Sequence, residues 1–217
     1  MSGNVGFPVI LSAPSGGGKT TIAKLLLARR PDLGYSVSCT TRAPRPSEIP
    51  GTDYYFISRA EFIAERERNA FAESAVVHGN LYGTLRREVE RVMTAGQCVV
   101  MDIDVQGAIQ FMRAFPQSVT IFILPPSAEV LLDRLRARKT ESPAQLAARL
   151  QSALQELQQV GEYEYVVVND NLERAVASVG SIVDAEAVSR ERVKNLRQQV
   201  GLLIERLEQE IESHNTP

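Results

Sequence analysis

The sequence has few of the residues from which disulfide frameworks and histidine or cysteine metal centres are built. Its 217 residues include two cysteines and two histidines, at Cys39, Cys98, His78 and His214. Two cysteines are too few for a disulfide framework or a cysteine-based zinc site, and two histidines exclude a histidine-rich metal site. The G-x-S-x-G motif of serine hydrolases is also missing, so a Ser-His-Asp mechanism would depend on one of two histidines without that motif.

Long hydrophobic runs and a strong charge of one sign are absent too. Apolar runs such as Val119–Leu124 are strand-sized, far below the 18 or more residues of a membrane-spanning helix. The first residues lack a basic region and become polar by Ser12, which argues against a signal peptide. The net charge of −2 disfavours nucleic acid and anionic membranes as partners. We therefore expect a cytoplasmic protein.

The overall composition is that of a soluble globular protein. Hydrophobic residues make up 44% and charged residues 23%, which fits one large domain or one core with insertions. Of the 24 basic residues 20 are arginine, whose planar guanidinium suits phosphate and carboxylate. Codon bias explains that excess as well, and composition alone favours codon bias.

Strand-sized apolar runs alternate with helix-sized amphipathic runs along the chain. The runs Cys98–Ile103, Val119–Leu124 and Tyr165–Val168 are nearly continuous, which predicts parallel strands buried on both faces by helices. The pattern therefore predicts a three-layer α/β fold with insertions. The other predicted strands are Pro8–Ala13, Tyr35–Cys39, Asp53–Ile57 and Phe71–Val77, and the predicted helices are Lys19–Arg30, one opened by a capping box at Ser58, Leu85–Ala95, Val105–Ala114, Ala128–Arg138 and Pro143–Val160.

A glycine-rich segment, Ser12–Thr20, lies between a predicted strand and a predicted helix. This is the context of a phosphate-binding loop, in which backbone N–H groups and a helix N-terminus surround phosphate oxygens. Lys19 is then expected to reach the β- and γ-phosphates, and the Thr20 hydroxyl to bind Mg²⁺. Ala13 stands where the motif has its first glycine. An ordinary glycine-rich turn is the alternative, which the intact GKT sequence disfavours.

Two carboxylates, Asp102 and Asp104, follow the buried strand that begins at Cys98. Ligands bind at the carboxyl ends of strands in open α/β sheets, and a carboxylate there can hold Mg²⁺ directly or through water. An aspartate at a strand end is by itself more often a helix cap. Together with the glycine-rich loop, Asp102 is predicted as the second metal-binding residue.

Over about residues 8–188 the sequence resembles the guanylate kinases. The elements T-T-R-x-P-R and D-I-D-x-Q-G are the most specific parts of the resemblance. It is carried by Ser12–Thr20, Ser36–Arg45, Gly79–Thr84, Asp102–Gly107, Phe122–Ser127 and Val168–Asp170.

The resemblance implies a nucleoside monophosphate kinase that transfers the γ-phosphoryl group of ATP, with Mg²⁺, to GMP and also dGMP. It implies one domain: a P-loop parallel-sheet core (about 1–36, 97–133 and 160–217), an inserted small mixed-β GMP-binding segment (about 37–96) and a helical lid (about 134–159). A GMP phosphate is already anionic near neutral pH, so catalysis needs alignment and charge neutralisation more than a strong base.

The resemblance also assigns roles residue by residue. The expected catalytic residues are Lys19, Arg45, Arg134, Arg138 and Arg149. The expected ATP-binding residues are Ala13, Pro14, Ser15, Gly16, Gly17, Gly18, Lys19, Thr20, Thr21, Arg134, Arg138 and Asn169. The expected GMP-binding residues are Ser38, Arg42, Arg45, Tyr54, Glu73, Tyr82, Thr84 and Asp104, and the expected metal-binding residues are Thr20 and Asp102.

Guanine selection follows from hydrogen-bond polarity. Guanine presents donors at N1 and N2 and an acceptor at O6, whereas adenine reverses the polarity at the corresponding edge. By motif position, Glu73 accepts from N1 and N2 with Asp104 beside it, and the hydroxyls of Ser38 and Thr84 serve O6. Without the surrounding motif, Glu73 would be interpreted as a polar residue on an alternating strand.

Three arginines are predicted to lie on the lid. Arg134 and Arg138 share one helix face at spacing i, i+4, and Arg149 lies on the next helix. A solvated helix surface is the alternative to a lid whose arginines meet the ATP phosphates. The family often has glycine where this chain has Lys139, which leaves the conformation of the lid loop open.

Two other functions remain to be weighed. One is a kinase of the same fold for a different nucleotide, against which Glu73, Ser38 and Thr84 argue. The other is a catalytically inactive guanylate-kinase-like protein-interaction module, against which the intact ATP site argues. Assay of ADP formation across nucleoside monophosphates separates them.

The C-terminal segment Ser189–His214 is predicted to form one long helix. Its apolar residues recur at spacings of 3 and 4, the pattern of a short coiled-coil seam. The seam either docks on the protein's own core or pairs with another subunit, which would make a homo-oligomer. The seam residues are Val193, Leu196, Val200, Leu203 and Leu207.

Overall fold

A computed structural model describes residues 6–46, 48–77, 79–136 and 143–215. Within them the strands are β1 (Pro8–Ser12), β2 (Leu33–Tyr35), β3 (Cys39–Thr40), β4 (Tyr55–Phe56), β5 (Phe71–Val77), β6 (Asn80–Leu85), β7 (Cys98–Asp102), β8 (Val119–Leu124) and β9 (Tyr165–Val168). The helices are α1 (Lys19–Arg29), α2 (Arg59–Glu67), α3 (Arg86–Thr94), α4 (Val105–Ala114), α5 (Ala128–Arg136), α6 (Pro143–Gln158), α7 (Leu172–Ala187) and α8 (Leu196–Asn215), with a 3₁₀ turn at Val160–Glu162. None of the described helices is long and apolar enough to cross a membrane.

The described strands form two sheets. The first is parallel, in the order β2-β7-β1-β8-β9, and the second is mixed, in the order β4-β3-β6-β5. Helices α1 and α7 pack on one face of the parallel sheet, and α3 and α4 pack on the other. The predicted three-layer α/β fold, with a second, mixed sheet inserted, is confirmed.

The central strands owe their position to continuous apolar sequence. All five residues of β1 are buried, as are Val119 to Ile123 of β8. Because a strand with helices on both faces meets no water, both sets of alternating side chains are apolar apart from the buried hydroxyl residues Ser12 and Thr120. The register places Leu11 beside Asp102, so the chain leaves β1 and β7 at neighbouring points on one edge of the sheet.

Strand β9 differs from its prediction. The sequence Tyr165–Val168 predicts burial on both faces, but β9 is the edge strand, and Val166 and Val168 remain about half exposed. A run of four apolar residues does not reveal whether a strand lies at the centre or the edge of a sheet. Strand order depends on contacts that are distant in sequence.

The predicted strand Tyr35–Cys39 is divided between the sheets. Strand β2 ends at Tyr35 in the parallel sheet, and β3 begins at Cys39 in the mixed sheet. The residues between them carry the chain from one sheet to the other. The capping box at Ser58 is confirmed: its hydroxyl accepts from the Glu61 N–H at 3.2 Å, and its own N–H donates to the Glu61 carboxylate at 2.7 Å.

The prediction that the C-terminal helix begins at Ser189 is wrong, because α8 begins at Leu196. Residues 189–195 form turns, and Asn195 has a left-handed backbone with φ of 54°. Arg192 lies 4.1 Å above the Phe7 ring and pairs with Glu186, which holds this stretch against the core. These tertiary contacts replace the extra helical turns that the local sequence favours.

Candidate active site

The loop between β1 and α1 curls tightly before the helix begins. The Gly17 N–H donates to the Pro14 carbonyl at 2.7 Å, and Gly16 and Gly18 have left-handed φ values of 84° and 94°. Such φ values favour glycine because other side chains clash there. Gly18 has no side chain with which to cap α1, so the first N–H groups of the helix can meet an anion. The loop therefore has the conformation and polarity of a phosphate site.

Side chains from distant parts of the chain support this loop. The Asn169 amide donates to the Gly17 carbonyl at 3.0 Å, and a Cβ on Gly18 would lie 2.6 Å from that amide nitrogen. The Arg134 guanidinium donates at 3.4 Å to the carbonyls of Gly17 and Asn169. The predicted ATP-binding residues Arg134 and Asn169 thus lie against the glycine-rich loop.

Helix α6 contacts the same loop at Ser15. Arg149, only 4% exposed, donates to the Ser15 hydroxyl at 3.3 Å and to the Leu135 carbonyl at 3.1 Å. The Ser15 N–H donates to the Glu156 carboxylate at 2.8 Å. Sequence reasoning missed Glu156, because this residue belongs to no recognised motif. Its position seven residues after Arg149, two helical turns away, was the available signal.

Asp102 is held between two hydroxyl groups. The Thr20 hydroxyl donates to its Oδ2 at 2.5 Å, and the Tyr35 hydroxyl donates to its Oδ1 at 2.7 Å. Burial raises the pKa of Tyr35, and the neighbouring Asp102 charge raises it further, so the phenol stays a proton donor. Tyr35 was not predicted as a site residue, although it directly precedes the Ser36–Arg45 motif.

The Thr20 and Asp102 side chains fit a magnesium ion by their chemistry. Both offer oxygen, the donor atom that Mg²⁺ takes in proteins. The described residues contain no group of three or more histidine, cysteine, aspartate or glutamate side chains that could hold a metal ion. Substrate phosphate and water oxygens therefore have to supply the other ligands, as is common for Mg²⁺ at phosphate-transfer sites.

Glu73 is a carboxylate on β5 that is only 5% exposed. The Thr84 hydroxyl from the paired strand β6 donates to its Oε1 at 2.7 Å, and the Ser38 hydroxyl lies 3.2 Å from that of Thr84. Burial raises the pKa of Glu73 to about 7; the Thr84 hydrogen bond opposes this shift, and the charge of Asp104 adds to it. The predicted guanine-binding residues therefore form one cluster.

Helix α4 approaches this cluster through a glycine. Asp104 caps the helix by accepting from the Gly107 N–H at 3.0 Å, and a Cβ on Gly107 would lie 2.7 Å from Glu73 Oε2. Only glycine permits this distance without displacement of the carboxylate. Gly107 is part of the D-I-D-x-Q-G element, but its packing role required the structure.

The predicted phosphate-binding arginines share a carboxylate. Arg42 donates to Glu48 Oε1 at 2.8 Å and to the Tyr82 hydroxyl at 3.1 Å, and the Arg45 N–H donates to Glu48 Oε2 at 2.8 Å. The Arg42 guanidinium lies 5.6 Å from the centre of the Tyr54 ring. Glu48 was missed by sequence reasoning, and its position three residues after Arg45 was the available signal.

One cavity of about 220 Å³ joins the two halves of the predicted site. Phosphate-loop residues and GMP-segment residues face each other across it. Arg42, Thr84, Arg134 and Arg149 lie outside its lining, and Arg138 and Lys139 lie outside the described residues. The lining consists of Lys19, Thr20, Ser38, Arg45, Tyr54, Glu73, Val77, Tyr82, Asp102, Ile103 and Asp104.

Comparison with known proteins gives a consistent result. Residues 6–186 match the family model described as guanylate kinase. The guanylate kinase of Nitrosospira multiformis is 43% identical over 94% of this chain and 96% of its own. That of Rhizobium meliloti is 48% identical over 92% of each chain.

A solved structure shows the same likeness in three dimensions. The crystal structure of guanylate kinase from Anaplasma phagocytophilum superposes with a TM-score of 0.74 and 36% identity, covering 89% of this chain and 93% of its own. Sequence family, relatives of nearly equal length and fold thus agree. The chain belongs to the guanylate kinase family.

Proposed function

We propose that this protein transfers the γ-phosphoryl group of ATP to GMP, yielding ADP and GDP, and that it also accepts dGMP. The observation that carries the proposal is the cavity itself. It places Lys19 and Thr20 of the glycine-rich loop opposite Glu73 and Tyr82 of the mixed sheet. A donor phosphate and an acceptor nucleotide can therefore meet in one cleft.

On the donor side, the loop N–H groups and the α1 N-terminus bind the ATP phosphates. The Lys19 ammonium group then neutralises the charge that is shared during transfer. Thr20 and Asp102 would hold Mg²⁺, which would supply charge neutralisation at the phosphate oxygens. Tyr35, through its hydrogen bond, keeps the Asp102 carboxylate turned toward Thr20. The remaining residues of the loop that we assign to ATP are Ala13, Pro14, Ser15, Gly16, Gly17, Gly18 and Thr21.

On the acceptor side, Arg42, Arg45, Tyr54 and Tyr82 bind the GMP phosphate. Glu48 balances the two arginines in the nucleotide-free protein and fixes where they lie. A dianionic phosphate brings more charge than this single carboxylate and is positioned by both guanidinium groups. Little proton chemistry is required, because the attacking phosphate oxygen is already anionic.

At the base, Glu73 accepts from guanine N1 and N2, with Asp104 beside it and the Ser38 and Thr84 hydroxyls toward O6. A buried carboxylate that receives two donors is stabilised in its charged form. Adenine offers an acceptor at the position of N1–H, which faces the carboxylate unfavourably. Base selection thus follows from hydrogen-bond polarity.

The lid contributes arginine side chains to the donor phosphates. Arg134 and Arg149 already lie against the glycine-rich loop, and Asn169 supports it from the core. We assign the same role to Arg138 by the resemblance. The domain bounds remain those predicted: a core of about 1–36, 97–133 and 160–217, a GMP-binding segment of about 37–96 and a lid of about 134–159.

The setting of the reaction follows from its substrates. GMP and ATP are cytoplasmic nucleotides, so we place the enzyme in the cytoplasm, with neither nucleic acid nor membrane as a partner. Self-association is expected through the C-terminal helix.

The proposal is tested by ADP formation from ATP and Mg²⁺ with each nucleoside monophosphate in turn. We expect turnover with GMP, weaker turnover with dGMP and little with AMP. Lys19→Ala should lower kcat by about a thousandfold or more while the protein stays folded by circular dichroism, since one preorganised charge contact contributes that order of magnitude. Lys194→Ala, at an exposed position outside the cavity lining, is the matched control. A folded wild-type protein without GMP-dependent activity would instead favour the protein-interaction module.

A further inference from the structure

Helix α8 carries an apolar stripe that its own chain leaves uncovered. Val200, Leu203, Ile204, Leu207 and Ile211 are between 43% and 65% exposed. At 100° per residue, these side chains and Leu196 fall within about a quarter of the helix circumference. From Arg197 to His214 every described side chain is exposed, apart from Gly201. A contiguous exposed stripe of this kind marks an interaction surface.

The charges around the stripe are strongly asymmetric along the chain. Within α8, residues 196–204 contain one basic residue, Arg197, and no acidic residue, whereas residues 205–212 contain four acidic residues and one basic residue. The two halves of the helix are therefore complementary to each other. An identical helix placed antiparallel brings unlike charges together, whereas a parallel one brings like charges together.

We propose that α8 pairs in antiparallel orientation with α8 of a second copy of this chain, making a two-fold symmetric homodimer. The symmetry axis passes between Leu203 and Ile204, at the middle of the stripe. In this register Leu196 lies level with the partner's Ile211, and Val200 lies level with the partner's Leu207. Every apolar residue of the stripe then meets an apolar residue, and the pair is self-complementary as a closed dimer requires.

The same register assigns one charged contact. Arg197 and Glu208 are eleven residues apart, which places them about 20° apart on the same side of the stripe. Because equal sides face each other in an antiparallel symmetric pair, Arg197 meets the partner's Glu208. The two-fold axis repeats this ion pair, so each dimer contains it twice. In a parallel pair of helices whose ends are level with each other, Arg197 and the partner's Glu208 lie far apart along the axis.

The polar face of α8 argues against a membrane surface as the occupant of the stripe. Helices that lie on membranes carry lysine and arginine on the polar face, which attract anionic lipid. The second half of α8 instead carries Glu205, Glu208, Glu210 and Glu212. Four carboxylates would be repelled by an anionic surface. The dimer does not depend on the proposed kinase activity and extends beyond it.

The first experiment is light scattering on the full chain across a concentration series. We expect a wild-type dimer and a monomeric Leu203→Glu variant. Gln198→Glu is the matched control, since it adds the same charge on the opposite face of the same helix and should remain dimeric. GMP kinase activity in all three proteins reports that the fold is intact. A monomeric wild type, or equal behaviour of the two variants, would overturn the proposal.

The second experiment tests the antiparallel orientation by sedimentation equilibrium. Arg197→Glu alone and Glu208→Arg alone each replace two attractions by two repulsions, so each should weaken the dimer about tenfold. An equal mixture of the two variants restores both ion pairs in the mixed dimer and should associate about as tightly as wild type. Leu203→Glu in both chains should abolish that recovery. A mixture no tighter than its components would rule out the antiparallel register.

Discussion

Glu73 shows at the level of one residue how binding and stability oppose each other. Its carboxylate is almost fully buried beside Thr84 and a second carboxylate, Asp104. Burial of a charge costs free energy unless donors compensate for it. In the proposed complex, guanine supplies two N–H donors to that carboxylate. The nucleotide-free protein therefore retains a destabilising group that becomes favourable when GMP binds.

Replacement of this carboxylate should change base selection. We expect Glu73→Gln to lower kcat/KM for GMP about a hundredfold, because the new amide donors face guanine donors. Activity with AMP should fall less, so the GMP/AMP ratio should drop. Steady-state kinetics with both nucleotides measures this, and Glu90→Gln, the same change at an exposed site on α3, is the control. An unchanged ratio would refute the assignment.

The pH dependence of stability should carry the signature of the same residue. The folded protein binds the Glu73 proton more tightly than the unfolded chain, because its pKa rises from an ordinary 4.5 to about 7. Its stabilising effect is therefore full below pH 4.5 and is lost as the pH rises through 7. We expect the free energy of unfolding to lose about 2 kcal/mol from this group between pH 5 and pH 8.

Urea denaturation of the nucleotide-free protein at both pH values measures this loss. Glu73→Gln should remove it, while Glu90→Gln should keep it. GMP binding, in contrast to folding, should favour the ionised Glu73 carboxylate, because guanine N1 and N2 donate to it. We therefore expect kcat/KM for GMP to rise as the pH passes 7. Equal pH profiles for wild type and Glu73→Gln would contradict the role of burial.

At the scale of elements, the site depends on two helices that approach other segments closely. Helix α4 reaches the Glu73 carboxylate at Gly107, and α6 reaches the glycine-rich loop through Arg149 and Glu156. The first contact fixes the proposed base-binding cluster, and the second connects the proposed lid with the glycine-rich loop. In the proposed function, each contact couples nucleotide binding to the placement of a whole helix.

A single methyl group should test the α4 contact. A Cβ on Gly107 would lie 2.7 Å from Glu73 Oε2, so Gly107→Ala has to move the helix or the carboxylate. We expect about 1–3 kcal/mol of destabilisation from overpacking and a raised KM for GMP. Gly180→Ala in α7 is the control, because its Cβ meets no atom closer than 3.8 Å.

In that control the gain in helix propensity should leave stability equal or higher, by up to about 1 kcal/mol. Thermal unfolding and GMP kinetics of both variants provide the comparison. A Gly107→Ala protein as stable and as active as Gly180→Ala would show that the contact has no consequence.

For the molecule as a whole, the proposed GMP-binding residues lie mainly on an inserted segment and the proposed ATP-binding residues mainly on the core and the proposed lid. Binding of both nucleotides should bring the segment 42–82 toward the glycine-rich loop, which Arg134 and Arg149 already contact, and exclude water. We expect a smaller radius of gyration with a bisubstrate analogue, measured by small-angle scattering on the Leu203→Glu variant to avoid dimer contributions. Identical radii with and without the analogue would contradict closure.

Much of the fold and of the candidate site was predictable from the local sequence. Nearly continuous apolar runs marked β1, β7 and β8, because strands covered on both faces carry few polar side chains. The run of glycines before Lys19 marked the phosphate loop in the sequence. In the structure Gly16 and Gly18 have left-handed backbones, which few other residues tolerate. Motif position selected Glu73, the end of a buried strand beside the glycine-rich loop selected Asp102, and the structure places both on one cavity.

Tertiary structure decided what depends on residues far apart in the chain. It placed β9 at the sheet edge, began the C-terminal helix at Leu196, seven residues after the predicted start at Ser189, and added Tyr35, Glu48 and Glu156 to the site. Their local signals are weak or absent, because strand order, an ion pair with Glu186 and a hydrogen bond across 141 positions are set by packing. Sequence thus specified the chemistry, and packing specified which groups surround it.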